Sequence, residues 1–221
     1  MRIFVIESSV CILMSFFNQF QLKDFQFTIV EQTSLDLDAI TLFPEELQQF
    51  NALHNTKRKI EFLGGRHLRN TLEIKHPIQY SKSGKPYIEG TNLKISISHC
   101  PGWISLVAAP YPIGIDIELE DRNALKIINK FAAEDEKILC FDATQNWALD
   151  LWCAKEAIYK LYDIQGLSFK EEIQIQSKDK SQDLILLKGC ITRAHSNPEF
   201  EVRICKQNKV LLAVALFKAE P

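Results

Sequence analysis

Glycine is scarce in this chain, with eight in 221 residues, which excludes a loop-rich or disordered polypeptide. Paired cysteines are missing as well. The six present (Cys11, Cys100, Cys140, Cys153, Cys190 and Cys205) form no CxxC. That scatter fits free thiols in a reducing compartment better than a disulfide framework or a zinc site. Positive charge is not in excess: the net charge is −2 and the pI about 6.2. The chain therefore lacks the electrostatic footprint of a nucleic-acid binder. No uninterrupted apolar run approaches the ~20 residues of a membrane span. The N-terminus, MRIFVIESSVCILMSFF, is apolar enough to be weighed as a signal peptide, but Glu7 interrupts it and no small-residue cleavage site follows. The expectation is a cytoplasmic protein with neither membrane nor nucleic acid as partner.

What is present suits a packed core: 46% of residues are apolar and fourteen are Phe. Short strands are expected at residues 2–6 and 25–30, then a helix from Pro44, with Pro in its first turn, and a longer one from about Asn55 to Leu72. The segment SKSGKPYIEG reads as a turn and a short strand. LKISIS and WISLVAA, joined by HCPG, read as a hairpin. Another strand, IGIDIEL, is followed by helical patterns at 123–131, 133–140 and about 144–162. Strands return at 172–176, 184–190, 200–205 and 210–217. The order of elements repeats without residue identity. The fold class expected is α+β: two similar α/β halves in a pseudo-dimer, each with an antiparallel three-to-four-stranded meander and a long packed helix. The halves are residues 1–110 and 111–221.

The stretch YPIGIDIELED sets Ile113, Ile115, Ile117 and Leu119 on one strand face and Gly114, Asp116, Glu118 and Glu120 on the other. Carboxylates in such a row repel, and each raises the other's pKa. The long helix WALDLWCAKEAIYKLYD is apolar nearly all round, as buried helices are. Lys155 and Glu156 then face burial, which costs several kcal/mol unless they are paired or bind an ion. One reading is a plain i,i+4 pair of Glu156 with Lys160 on a solvated face. The other joins Glu156 to Asp116 and Glu118 as three oxygen ligands for one hard divalent cation, Mg²⁺ or Mn²⁺.

These two stretches together resemble the paired signature of the 4′-phosphopantetheinyl transferases, specifically the larger, pseudo-dimeric class acting on carrier proteins. GIDIE supplies the first motif. Trp152, Cys153, Ala154, Lys155, Glu156, Ala157 and Lys160 fill the second without a mismatch. GKPYI, SISHCPGW, INKFAAEDE, GLS and KRKIEFLGGRHLR resemble further segments of that family, so the likeness runs from about Lys57 to Ser168.

The resemblance implies a holo-[acyl-carrier-protein] synthase activity. Such an enzyme transfers 4′-phosphopantetheine from coenzyme A to a serine of an acidic acyl or peptidyl carrier protein, with release of adenosine 3′,5′-bisphosphate. It implies Mg²⁺ on Asp116, Glu118 and Glu156, with Glu156 also able to accept the serine proton, directly or through water. Lys155 and Lys160 are implied beside the phosphates, Lys160 close to the chemistry. Coenzyme A contacts are implied for Lys57, Arg58, Arg66, Lys85, Ser98 and His99 in the first half. A monomer is expected, since the two halves already cover each other. Two other classes compete: a non-catalytic coenzyme A or carrier-protein binding module, and another Mg²⁺-dependent phosphotransferase or nuclease. Both leave unused some of the carboxylates or the GKP and SHC segments.

Overall fold

The computed structural model describes residues 2–5, 26–35, 40–142, 146–181, 184–193, 197–207 and 209–218. The signal-peptide question and Cys11 therefore lie outside the described residues. The chain divides into two compact units, Met1–Tyr111 and Pro112–Pro221, and mixes helices with largely antiparallel sheet, an α+β architecture. Among the described residues, no helix is long and apolar enough to cross a membrane.

The first unit contains β1 (Arg2–Val5), β2 (Gln26–Glu31), α1 (Pro44–Asn51), α2 (Thr56–Thr71), the short hairpin β3 (Ile78–Tyr80) and β4 (Pro86–Ile88), then β5 (Lys94–Cys100) and β6 (Trp103–Ala109). Its four-stranded sheet runs β1-β2-β6-β5. The hairpin β5–β6 forms as its alternation predicts, turning at Pro101 and Gly102, where Gly102 takes the left-handed φ of +83° that glycine tolerates. The expected meander does not. β1 pairs parallel with β2, and β2 pairs antiparallel with β6, far along the chain. Alternation fixes which side chains share a face, but not which neighbour or direction a strand takes, because pairing is a long-range choice. α2 is N-capped by Asn55, whose side chain accepts from Arg58 N at 3.0 Å. Leu68, Leu72, Ile95, Ile104 and Leu106 form the core between this helix and the sheet.

The second unit contains β7 (Ile113–Leu119), a 3₁₀ turn at Ala124–Ile127, α3 (Ile128–Phe131), α4 (Glu134–Cys140), α5 (Trp147–Tyr162), β8 (Ile173–Lys180), β9 (Leu184–Ile191), β10 (Glu199–Gln207) and β11 (Val210–Phe217). β8 to β11 form a true antiparallel meander, and β7 closes its far side in the order β7-β11-β10-β9-β8. β7 is thus an edge strand of this sheet, yet Ile113 to Glu118 are all buried. α5 packs on the sheet with Leu151, Ala154, Ala157, Ile158 and Leu161 against Leu211, Ala213 and Ala215. It ends at Asp163, which adopts the left-handed φ of 57°.

Gly114 explains how closely α5 approaches. A Cβ there would run into the carbonyl oxygen of Ala157 and lie 2.7 Å from Leu161 N. Only glycine lets the helix backbone seat directly on β7. That contact also orients the strand: the face carrying Gly114, Asp116 and Glu118 is the face that α5 covers.

Candidate active site: an acidic strand under a helix

On the covered face of β7, Asp116 and Glu118 are buried, with Glu156 of α5 half-buried beside them. Burial, then the charge of Asp116, and further that of Glu118, push the Glu156 carboxyl up to about 7; the cations Lys160 and Arg122 pull the other way. The three acids expected from sequence are therefore within electrostatic reach of one another. Two of them are engaged by cations. Lys160 Nζ donates to Asp116 Oδ1 at 2.7 Å. Arg122 Nη1 donates to Glu118 Oε1, and Trp152 Nε1 donates to that same oxygen at 2.9 Å. Among the described residues, no group of three His, Cys, Asp or Glu stands in ion-holding geometry. The donor set nonetheless fits a hard divalent cation: three carboxylates, one of them raised to about 7 by burial and by the charge of the other two.

Lys155 departs from its expected place beside phosphates. It is fully buried, and its Nζ donates to Glu136 Oε2 at 2.6 Å, Phe169 O at 2.6 Å and Ile173 O at 2.8 Å. An ammonium has three donors, so none is left for a ligand. Glu136 also accepts from Ala133 N and Ile175 N, both at 2.9 Å. The Lys155–Glu136 pair therefore ties α4, α5 and β8 together. Burial lowers the Lys155 pKa, and Glu136 pulls it back up. The motif's adjacent Lys and Glu, 100° apart on the helix, serve opposite sides: Lys155 the core, Glu156 the acidic face.

In the first unit, a pocket of about 620 Å³ is lined by Arg58, Glu61, Phe62, Tyr80, Pro86 and His99, among others. Arg58 is exposed, and His99 Nδ1 lies 3.4 Å from Glu61 Oε1. Lys85 sits between two lining residues, Gly84 and Pro86. Lys57 is exposed and 3.8 Å from Glu61. Ser98 is buried on β5.

Arg66 is the second departure. It is completely buried against Glu46 and donates to Tyr80 Oη at 3.0 Å, Gln49 Oε1 at 3.3 Å and Ile78 O at 3.3 Å. Its guanidinium stacks 3.4 Å from the Phe62 ring centroid. Arg69 binds the same Glu46 carboxylate. A basic run on a helix does not reveal which cations turn inward, and Glu46, the acid that draws these two in, belongs to a different helix.

Arg122 and the indole N–H of Trp152 are site residues that sequence reasoning missed. Arg122 lies four residues beyond Glu118, just past the strand end, a spacing that carries no strand or helix signal.

One comparison with known proteins falls on the second unit. The family described as the 4′-phosphopantetheinyl transferase superfamily matches residues 112–215. A protein named 4′-phosphopantetheinyl transferase gsp, from Aneurinibacillus migulanus, is 32% identical over 81 residues, covering 35% of this chain and 34% of the relative. The chain thus matches about a third of that relative's length.

Proposed function

We propose, from the match of residues 112–215 to the 4′-phosphopantetheinyl transferase superfamily, that this chain moves 4′-phosphopantetheine from coenzyme A to a serine hydroxyl of an apo acyl or peptidyl carrier protein. The observation that carries the reading is the acidic face of β7 under α5. There Asp116 and Glu118 are buried, and the Glu156 carboxyl is raised to about 7 beside them.

The serine oxygen would form a bond to the β-phosphorus of coenzyme A. The bond from that phosphorus to the bridging oxygen breaks, and adenosine 3′,5′-bisphosphate leaves. Glu156, with its carboxyl raised to about 7, is suited to take the serine proton at neutral pH. Lys160, held at Asp116, supplies positive charge for phosphate oxygens. Asp116, Glu118 and Glu156 would hold Mg²⁺ or Mn²⁺, which when bound neutralises charge on the diphosphate. Arg58 and His99, which line the first-unit pocket, are assigned to the nucleotide, with Lys85 between the lining residues Gly84 and Pro86 and Lys57 adjacent in sequence to Arg58. Arg66 shapes that pocket's wall through Phe62 and Tyr80 instead of meeting the ligand.

The pseudo-dimer, the two-domain division of roles, the monomeric state and a cytoplasmic location belong to the same proposal. An acidic carrier protein as partner does too. The decisive experiment incubates the protein with coenzyme A, Mg²⁺ and several apo carrier proteins and weighs each carrier by mass spectrometry. A phosphopantetheine adduct is expected on at least one. No adduct on any of them, with coenzyme A bound, favours a binding module instead.

A further inference from the structure

Arg122 has no part in the reaction just described, yet it sits on one of the proposed metal ligands. Its backbone is fixed: Arg122 N donates to Leu119 O at 3.0 Å, and Asn146 Nδ2 donates to Arg122 O at 2.9 Å. Its side chain is 43% exposed, whereas that of Glu118 is 8% exposed. The guanidinium reaches inward over the Trp152 ring, 5.1 Å from its centroid, to Glu118 Oε1, the same oxygen that Trp152 Nε1 holds. The charges of Asp116 and Glu156 attract it as well.

We propose that Arg122 is an internal competitor for Glu118, so that its guanidinium and a divalent cation bind this carboxylate in turn. The inference rests on the metal reading above. A guanidinium hydrogen-bonded to Glu118 places a full positive charge where a bound cation would bring two more, and like charges at such range repel. Something must therefore move. Glu118 is buried and anchored by Trp152, so it stays. Apart from Glu118 and the Trp152 ring beneath it, Arg122 is anchored through its backbone, and its side chain, 43% exposed, has solvent into which to withdraw. Trp152, uncharged, keeps its bond to Oε1 in either state and preserves the carboxylate's orientation. Lys160 differs from Arg122 because it pairs with Asp116 from α5, inside the proposed machinery. The fraction of molecules with Arg122 seated on Glu118 lowers the apparent affinity for the cation by that same fraction.

Calorimetric titration of the free protein with Mg²⁺ alone tests this without any turnover. Arg122→Gln is expected to bind Mg²⁺ roughly fivefold more tightly, the size expected from losing one partly exposed ion pair. Arg122→Lys, which keeps the charge, stays near the native affinity. Equal or weaker binding by Arg122→Gln overturns the inference, as does Arg122→Lys binding as tightly as Arg122→Gln. Asp116→Ala separates this from the metal reading. If it abolishes binding while Arg122→Gln changes nothing, the ligand assignment stands and the competition fails. If Asp116→Ala binds Mg²⁺ as the native protein does, both fail. Arg122 is partly exposed, so the variants are expected to fold, and circular dichroism of each one checks it.

Discussion

Glu156 and Lys155 are adjacent in the chain and respond to opposite forces. The Glu156 carboxyl is raised from 4.5 to about 7 by burial and by Asp116. Between those values the folded protein keeps the proton that the unfolded chain has released. Stability from this group is therefore full below about pH 4.5 and falls as the pH climbs through about 7. Glu156→Gln removes the penalty. In EDTA it should raise stability by about 2 kcal/mol at about pH 8 and leave it unchanged at about pH 4, as read by urea unfolding at the two pH values. The same variant should lose the proposed transfer by at least about a hundredfold, the scale of a missing general base; near-native transfer would remove Glu156 from the mechanism. Lys155→Met should behave in the reverse way. It strands Glu136 in the core and should cost about 3–5 kcal/mol in thermal or urea unfolding. A phosphate-binding lysine would instead cost activity and leave the unfolding midpoint in place.

At the scale of the element, the acidic face depends on how α5 lies on β7. Gly114 is the point of closest approach, because any side chain there meets the backbone of Ala157 and Leu161. Gly114→Ala should lift the helix from the strand. The expected loss is about 1–3 kcal/mol in urea unfolding, the range of an overpacked core. Transfer and Mg²⁺ affinity should fall together, because Glu156 rides on the lifted helix. An unchanged Mg²⁺ titration with lowered stability would show that the acids keep their spacing regardless of the helix. The strands of this element pair were legible in sequence because IGIDIEL alternates with apolar residues on one face and the LLAVALF segment is a short, continuous apolar run. Their neighbour relation was not, since nothing local says that β11 lies beside β7.

At the scale of the whole molecule, coenzyme A should act as a stabilising ligand. A ligand that binds only the folded state raises its stability by about 2.7 kcal/mol at a hundred times its Kd. Thermal unfolding with and without coenzyme A should show a clear upward shift in the native protein. The shift should shrink in Arg58→Ala and His99→Ala, which line the first-unit pocket, while their unliganded midpoints stay near native. Arg66→Ala should instead lower the unliganded midpoint itself, since it leaves Glu46 short of a partner in the core. An undiminished shift in Arg58→Ala and His99→Ala would move the nucleotide away from this pocket.

By itself, the sequence determined the order and approximate limits of most elements, through period-2 strands, the Asn55 cap and the all-round apolar helix. It also pointed to Asp116, Glu118 and Glu156 as candidates for one chemistry, because GIDIE and the Lys-Glu helix are local patterns, and the fold brings the three within electrostatic reach. Only the tertiary structure decided how charged neighbours divide between core and site. Lys155 turns to Glu136, Arg66 turns to Glu46, and Arg122 folds back onto Glu118. Those choices rest on buried partners 4 to 20 residues away, selected by the cost of leaving a charge unpaired out of water, and no local pattern encodes them.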